Sequence, residues 1–180
     1  MDKRKDSDAN PTKNSTTAER KSDRELVVTR TFNGPAQVLF DAWTKPELLK
    51  RWWMPKSFGV SFLSCETDVR TGGTYRFVFS HPSAAEPMAF VGRYLEVTAP
   101  TRLVWTNDEG EEPGSVTTVT FEERAGETLV VVHDLYPSKQ ALDDAIASGS
   151  ASWSGDQFEQ FDQLDQLLVS LEPNVGKRPA

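Results

Sequence analysis

Apolar residues recur at two different spacings along the chain, and these spacings divide it into elements. Residues 25–32 (ELVVTRTF) are rich in β-branched and aromatic side chains, a composition that favours a β-strand. Two short helices are predicted next, because apolar residues gather on one helical face after Pro35 and again around Leu48 and Leu49. Pro55 prevents the second helix from continuing.

From residue 57 onwards the pattern changes to the two-residue alternation that is typical of strands. Glycine, proline and acidic residues interrupt this alternation at intervals and mark turns. Six consecutive strands are predicted at 57–67, 73–80, 88–97, 102–107, 115–123 and 127–136. Because short connections join strands that run in opposite directions, the sheet should be antiparallel.

The last part of the domain has helical spacing. A short helix is predicted over 139–148 with Ser138 as its N-cap, and a longer helix over 151–171 that ends before Pro173. The longer helix carries an apolar stripe made of Trp153, Phe158, Phe161, Leu164, Leu167, Leu168 and Leu171. A stripe of this width needs a sheet to cover it. The predicted fold class is therefore α+β, in the helix-grip arrangement: a curved antiparallel sheet of about seven strands around a long C-terminal helix, with two short helices after the first strand.

Composition separates one domain from two polar ends. Residues 1–22 contain no aromatic residue and no Leu, Ile or Val, so they are expected to be a disordered tail. Residues 23–173 are predicted to form the domain, and 174–180 a disordered C-terminus.

Charge narrows the range of possible partners. Residues 1–24 hold seven Lys or Arg against five Asp or Glu, whereas residues 25–176 hold 11 basic and 22 acidic residues. An acidic domain without a basic stripe argues against binding to nucleic acid or to anionic membranes. Cys65 is the only cysteine, which excludes an internal disulfide. With no apolar run of membrane-spanning length either, a cytoplasmic protein without membrane insertion is expected.

His133 is the polar residue most open to a functional interpretation. If the face formed by Leu129, Val131 and Leu135 turns toward the long helix, His133 points into the interior. There it could bind a ligand carbonyl group or transfer a proton. The alternative is a hydrogen-bonded histidine in the wall of the domain, since no nucleophile and base accompany it.

Aromatic residues are numerous for a domain of this size, and some are expected to line a pocket between sheet and helix. The candidate cavity or ligand-binding residues are His133, Trp53, Phe58, Tyr75, Phe77, Trp105, Trp153 and Phe158. No catalytic residue, metal site or cofactor is predicted. The acidic residues of the last helix are interpreted as a solvated face, and Cys65 beside Glu66 as a small core residue.

Several motifs resemble a known family in both order and spacing. They are VTRTF at 28–32, AWTKPE at 42–47, RWWMPKSF at 51–58, CETDVRTGGTYRF at 65–77, GRYLEVTAPTRLVWT at 92–106, VTFEE at 119–123 and FDQLDQLL at 161–168. In these motifs the sequence resembles the activator of heat-shock-protein-90 ATPase homologue-like branch of the START-like superfamily, also called SRPBCC or polyketide cyclase-like. Met54 departs from this family, which usually has glycine before the proline. The segment 152–155 (SWSG) departs from its glycine-rich entry to the last helix.

The resemblance implies a helix-grip fold with an apolar cavity, and relatives that bind lipids, polyketides and related hydrophobic molecules. It implies no catalytic motif. The preferred hypothesis is a domain that binds a small apolar or aromatic molecule of unknown identity. Two alternatives stay open: a chaperone-associated module that binds a protein partner, and a weak cyclase- or hydrolase-type enzyme that uses His133. A non-catalytic role is preferred.

Overall fold

The computed structural model describes residues 16–108, 114–148 and 155–176, and for residues 155–158 and 172–176 it describes the backbone. The expected α+β class is confirmed. Within these ranges one antiparallel sheet and four α-helices are present. The elements are β1 Thr17–Ser22, β2 Glu25–Asn33, α1 Ala36–Thr44, α2 Pro46–Trp52, a 3₁₀ turn Lys56–Phe58, β3 Ser61–Thr67, β4 Thr74–Ser80, β5 Met88–Thr98, β6 Arg102–Thr106, β7 Val116–Arg124, β8 Glu127–Leu135, α3 Lys139–Ser148 and α4 Gly155–Gly176.

The sheet has eight strands rather than the expected seven, in the order β1-β2-β8-β7-β6-β5-β4-β3. Every neighbouring pair is antiparallel. The first long strand therefore lies beside the last one, and the strands from β3 to β8 form a meander. β1 and β3 are the two edges.

One face of the sheet and one face of α4 enclose the core. Buried and half-buried residues alternate along β2 and β8, as expected for strands with a single covered face. On α4, Phe161 is fully buried, and its ring lies 5.4 Å from Phe32 on β2 and 6.1 Å from Trp43 on α1. The predicted inward orientation of Phe161 is confirmed.

The expected N-terminal tail is wrong for residues 17–22, which form the edge strand β1. Its backbone pairs with β2, so it needs no apolar side chains to be held. Arg20 also pairs with Asp143 of α3 at 2.7 Å. Residues 1–15 lie outside the described residues.

The last helix runs past its expected end. Pro173 lies within α4, which continues to Gly176, so the expected disordered C-terminus is wrong for 174–176. Proline removes one backbone donor but has a φ near the helical value, and it therefore need not end a helix at the preceding residue. Residues 151–154 and 177–180 lie outside the described residues. Neither α4 nor any other described helix is long and apolar enough to cross a membrane.

The segment between α2 and β3 also differs from the expected strand at 57–67. Lys56–Phe58 form a 3₁₀ turn and Gly59 has a φ of +69°, so the strand begins only at Ser61. Glycine tolerates this left-handed conformation, which redirects the chain into β3.

The predicted helix at 139–148 is confirmed, and Ser138 Oγ accepts a hydrogen bond of 3.0 Å from the Ala141 N–H.

Candidate functional site

A cavity walled by aromatic rings lies between the sheet and the two short helices. We call it the aromatic cavity, and it is lined by Trp43, Trp53, Tyr75, Phe77, Tyr94 and Trp105. The space among these side chains, counted with its opening to solvent, is about 240 Å³. The enclosed part leaves room for roughly one water molecule, so a larger ligand requires rings to shift.

Trp53 forms the wall on the helical side. It follows the end of α2 and is half-buried, and its ring lies 5.5 Å from Phe77 and 6.4 Å from Trp105. Polar side chains of α4 hold its backbone: Gln160 donates a hydrogen bond to the Trp53 carbonyl oxygen, and Gln163 donates to the Met54 carbonyl oxygen at 2.9 Å. The long helix therefore positions the cavity wall through hydrogen bonds as well as through its apolar stripe.

Glu159 takes part in the same attachment. It accepts hydrogen bonds from the backbone N–H and the hydroxyl of Ser57, at 3.1 and 2.6 Å. Its expected place on a solvated helix face is therefore only partly right, because the carboxylate fixes the 3₁₀ turn. The neighbouring Gln163 can be buried because both ends of its amide group are hydrogen-bonded. Its Nε2 donates to backbone carbonyl oxygens and its Oε1 accepts from the Lys56 N–H at 2.7 Å.

Tyr75 reaches across the sheet because Gly92 lies opposite it on β5. A Cβ atom at position 92 would come within 2.6 Å of the Tyr75 ring and 1.9 Å of the Thr106 carbonyl oxygen. With glycine there, the Tyr75 hydroxyl donates a 2.8 Å hydrogen bond to that carbonyl oxygen. Its polar end is thereby anchored on β6 and its ring faces the aromatic cavity.

Asn107, at the end of β6, organises the polar side of the cavity wall. Its Oδ1 accepts from the Trp105 indole N–H at 3.3 Å, and it also receives the longer, 3.3 Å branch of the hydrogen bond that the Tyr75 hydroxyl shares with Thr106. Its Nδ2 donates to the Ser115 carbonyl oxygen at 3.1 Å and to Thr117 Oγ1 at 3.0 Å. An indole N–H can only donate and a carbonyl can only accept, so these partners fix the orientation of the amide.

This polar chain ends at a buried carboxyl group. Thr117 Oγ1 donates a 2.5 Å hydrogen bond to Asp134 on the neighbouring strand β8. Burial raises the pKa of Asp134, against the lowering effects of the Thr117 hydrogen bond and of nearby His133. Asp134 was not expected to be buried, because it shares a face with Val130 and Val132 that was expected to point outward.

Asp134→Asn should stabilise the protein increasingly as the pH rises. A carboxyl whose folded pKa is raised contributes stability below its unfolded pKa, near 3.8, and loses that contribution as the pH rises through its folded pKa. Asparagine stays neutral and still accepts from Thr117. Each unit of difference between the folded and unfolded pKa of Asp134 lowers the free energy of unfolding at neutral pH by about 1.4 kcal/mol, and the asparagine variant avoids this loss. Urea denaturation between pH 4 and 8 measures the difference from wild type.

Glu96→Gln is the matched control for that measurement. The pKa of Glu96 is lowered by its hydrogen bonds from Arg102 and Thr98, so its neutralisation should act in the opposite direction. A stability difference between wild type and Asp134→Asn that does not vary with pH would contradict the proposed ionisation behaviour.

Comparison with known proteins identifies the family of the chain. A sequence profile described as Activator of Hsp90 ATPase homolog 1-like protein matches residues 33–168, which is most of the chain. The chain belongs to this family. No curated protein matches it.

Solved structures share the fold of this Hsp90-activator-like domain. A protein from Rhodobacter sphaeroides has a TM-score of 0.75 at 21% identity, covering 87% of this chain and 99% of its own. A protein from Staphylococcus epidermidis has a TM-score of 0.72 at 27% identity, covering 86% and 94%. An AHSA1-like protein from Aeromonas hydrophila has a TM-score of 0.57 at 19% identity, covering 78% and 94%. These likenesses support the helix-grip fold and carry no residue roles.

The structure brings together four of the eight residues expected at a cavity: Trp53, Tyr75, Phe77 and Trp105. Phe58 lies instead in the 3₁₀ turn, 37% exposed and outside the aromatic cavity. Trp153 lies outside the described residues, and so does the side chain of Phe158.

The expected inward orientation of His133 is wrong. Its side chain lies on the outer face of β8, about one-third exposed, with Nε2 2.8 Å from Glu25 Oε2 on β2. The phase of the strand is the reverse of the expectation, because Val130, Val132 and Asp134 are the buried residues. An enzyme that uses a cavity histidine is therefore not supported.

Trp43 and Tyr94 complete the cavity wall and were not predicted to do so. The alternation of β5 carried a signal for Tyr94, since it follows Gly92 by two residues and so shares its face. None of the six lining residues is a carboxylate, histidine or cysteine. Nearby Cys65 is a poor nucleophile, because burial raises its thiol pKa to about 11.

Proposed function

We propose that this Hsp90-activator-like domain binds a small aromatic molecule in the aromatic cavity. The observation that carries the proposal is the composition of the wall, six aromatic side chains without a charged group. Rings stack on flat aromatic ligands and bury a large apolar area. The enclosed part of this space holds about one water molecule, so a ligand of one or two rings requires the wall of the cavity to open.

The expected mode of binding is a shift of one wall ring, which makes room for the ligand and then stacks against it. Trp53 is the half-buried member of the wall and lies in the short connection between α2 and the 3₁₀ turn, so it is the ring most able to move. The proposed setting is the cytoplasm, where the free thiol of Cys65 would stay reduced.

Trp53→Ala should weaken the binding of an aromatic probe at least tenfold. The probe is 2-naphthol, followed by fluorescence anisotropy with excitation beyond the tryptophan band. A tenfold change in affinity corresponds to a loss of about 1.4 kcal/mol of binding free energy. The contact between a tryptophan ring and an aromatic ligand should contribute at least this much. Circular dichroism establishes that the variant is folded, and Phe77→Leu, which keeps most of the core volume, is a second variant of the same wall.

Phe58→Ala is the matched control, because this aromatic residue lies close to Trp53 in sequence but outside the cavity. The affinity of this variant for 2-naphthol should stay within about twofold of wild type, whereas Trp53→Ala should lower it at least tenfold. Equal losses in the cavity and control variants, or no binding by the wild type, would overturn the proposal.

A protein-interaction role is the second candidate, favoured by the family description and by exposed apolar side chains near one edge of the sheet. Leu63 on β3 and Met88 and Leu95 on β5 are all more than 40% exposed. β3 is an edge strand, and such edges offer unpaired backbone groups to another chain. This role would take precedence if the wild type bound no aromatic probe.

A further inference from the structure

The polar atoms of the aromatic cavity divide into two groups. Tyr75 and Trp105 already donate to acceptors in the protein, the Thr106 carbonyl oxygen and Asn107 Oδ1. The side-chain polar atoms of Tyr94, Trp43 and Trp53 have no hydrogen-bond partner among the residues that the structure describes. The unpaired side-chain groups of the cavity wall are therefore one hydroxyl and two indole N–H groups, all of which can donate.

Tyr94 is the most deeply placed of these donors. It is only 3% exposed, lies directly across from Trp105 in the β5–β6 pairing, and packs 5.8 Å from the ring of Tyr75. Among the described residues only Arg30 Nε is both inaccessible and unpaired, so the unpaired Tyr94 hydroxyl keeps an opening to solvent. A ligand acceptor would replace water at this hydroxyl, and it would gain the net value of one hydrogen bond.

The protonation state of Tyr94 suits this role. Burial raises the pKa of Tyr94 far above its usual value of 10, and the nearby carboxylate of Asp68 acts in the same direction. The hydroxyl consequently stays a donor across the whole neutral range.

We propose that Tyr94 determines the specificity of the aromatic cavity by donating a hydrogen bond to a neutral oxygen acceptor, such as a carbonyl group, on a planar aromatic ligand. This inference rests on the proposed function and adds the chemical class of the ligand. The acceptor is neutral because no cation lines the cavity, and a carboxylate there would lose its hydration without an ion pair. The buried cation Arg30 is paired elsewhere, with Asp162 and Asp165.

The test compares two nearly isosteric probes, 2-acetylnaphthalene, which has a carbonyl oxygen, and 2-ethylnaphthalene, which does not. Calorimetric titrations of wild type, Tyr94→Phe and Tyr75→Phe into each probe give the affinities. Wild type should bind the ketone about tenfold more tightly than the hydrocarbon, the effect of one net hydrogen bond. Tyr94→Phe should remove that preference and keep the affinity for the hydrocarbon.

Tyr75→Phe is the matched control, because the Tyr75 hydroxyl is already committed to Thr106. It should change the affinity for both probes by the same factor and keep the preference for the ketone. Two charged naphthalenes, 2-naphthoate and a 2-naphthyl trimethylammonium ion, should bind more weakly than the ketone. Tighter binding of the cation would overturn the inference in favour of recognition of positive charge by the ring faces.

The possible failures are distinguishable. Equal binding of ketone and hydrocarbon by wild type, or an unchanged preference in Tyr94→Phe, would overturn the role of Tyr94 while leaving an aromatic-binding cavity. No binding of any probe would overturn the proposed function together with this inference.

Discussion

Phe161→Ala should lower the free energy of unfolding by about 3–5 kcal/mol, the usual cost of removing a fully buried phenylalanine side chain. Phe161 is inaccessible to solvent and makes edge contacts with Phe32 on β2 and Trp43 on α1. It joins α4 to both the sheet and the helical layer, so little of the resulting space can be refilled by collapse. Urea denaturation followed by circular dichroism measures the loss.

The matched control is Val169→Ala on the same helix. Val169 is 62% exposed, and its truncation should change stability by less than about 0.5 kcal/mol, apart from a small gain in helix propensity. Comparable losses for the two variants would show that α4 does not present the Phe161 face to the sheet.

Arg30→Met should lower the free energy of unfolding by about 3 kcal/mol or more. Arg30 is buried on the inner face of β2, and its Nη1 and Nη2 pair with Asp162 at 2.9 Å and Asp165 at 2.5 Å on α4. Its guanidinium also lies 5.2 Å from the centre of the Phe32 ring. Methionine keeps the volume but leaves the mostly buried carboxylate of Asp165 without a cation, which is the costly way to break a buried ion pair.

Two further variants separate charge from packing at this position. Asp162→Asn should cost less than about 1 kcal/mol, because Asp162 is 64% exposed and water screens its pairing. The double variant Arg30→Met with Asp165→Leu should recover much of the loss, since it leaves no unpaired buried charge. Wild-type stability in Arg30→Met, measured by the same urea titration, would show that the ion pair does not hold α4 to the sheet.

The sequence predicted the strands and helices well where a local signal was unambiguous. The alternation from residue 61 onwards, the turn glycines and the Ser138 cap place β4 to β8 and α3 within a few residues of the observed bounds. Four residues of the aromatic cavity were also found, because large aromatic side chains at strand and helix positions have few places to be buried. Membership of the family followed from motifs that keep both order and spacing.

Amino-acid composition could not predict the polar parts of the fold, because these parts are held by hydrogen bonds and ion pairs with distant residues. Ala18 is the only apolar residue of 17–22, yet β1 forms because its backbone adds to the edge of β2 and Arg20 reaches α3. Gln163 and Arg30 are buried for the same kind of reason: partners distant in sequence satisfy their polar atoms, apart from Arg30 Nε.

The orientation of β8 could not be determined from the sequence and depends on the tertiary structure. Both faces of residues 127–135 are apolar, with Leu129 and Val131 on one and Val130 and Val132 on the other. Alternation alone determined that this segment is a strand, but it could not choose between the faces. Pairing settles the choice, because Val132 lies directly opposite Val28 on β2 and Val119 on β7, both of which face the core. A strand shares the side-chain phase of its neighbours, so Asp134 enters the interior and His133 lies outside.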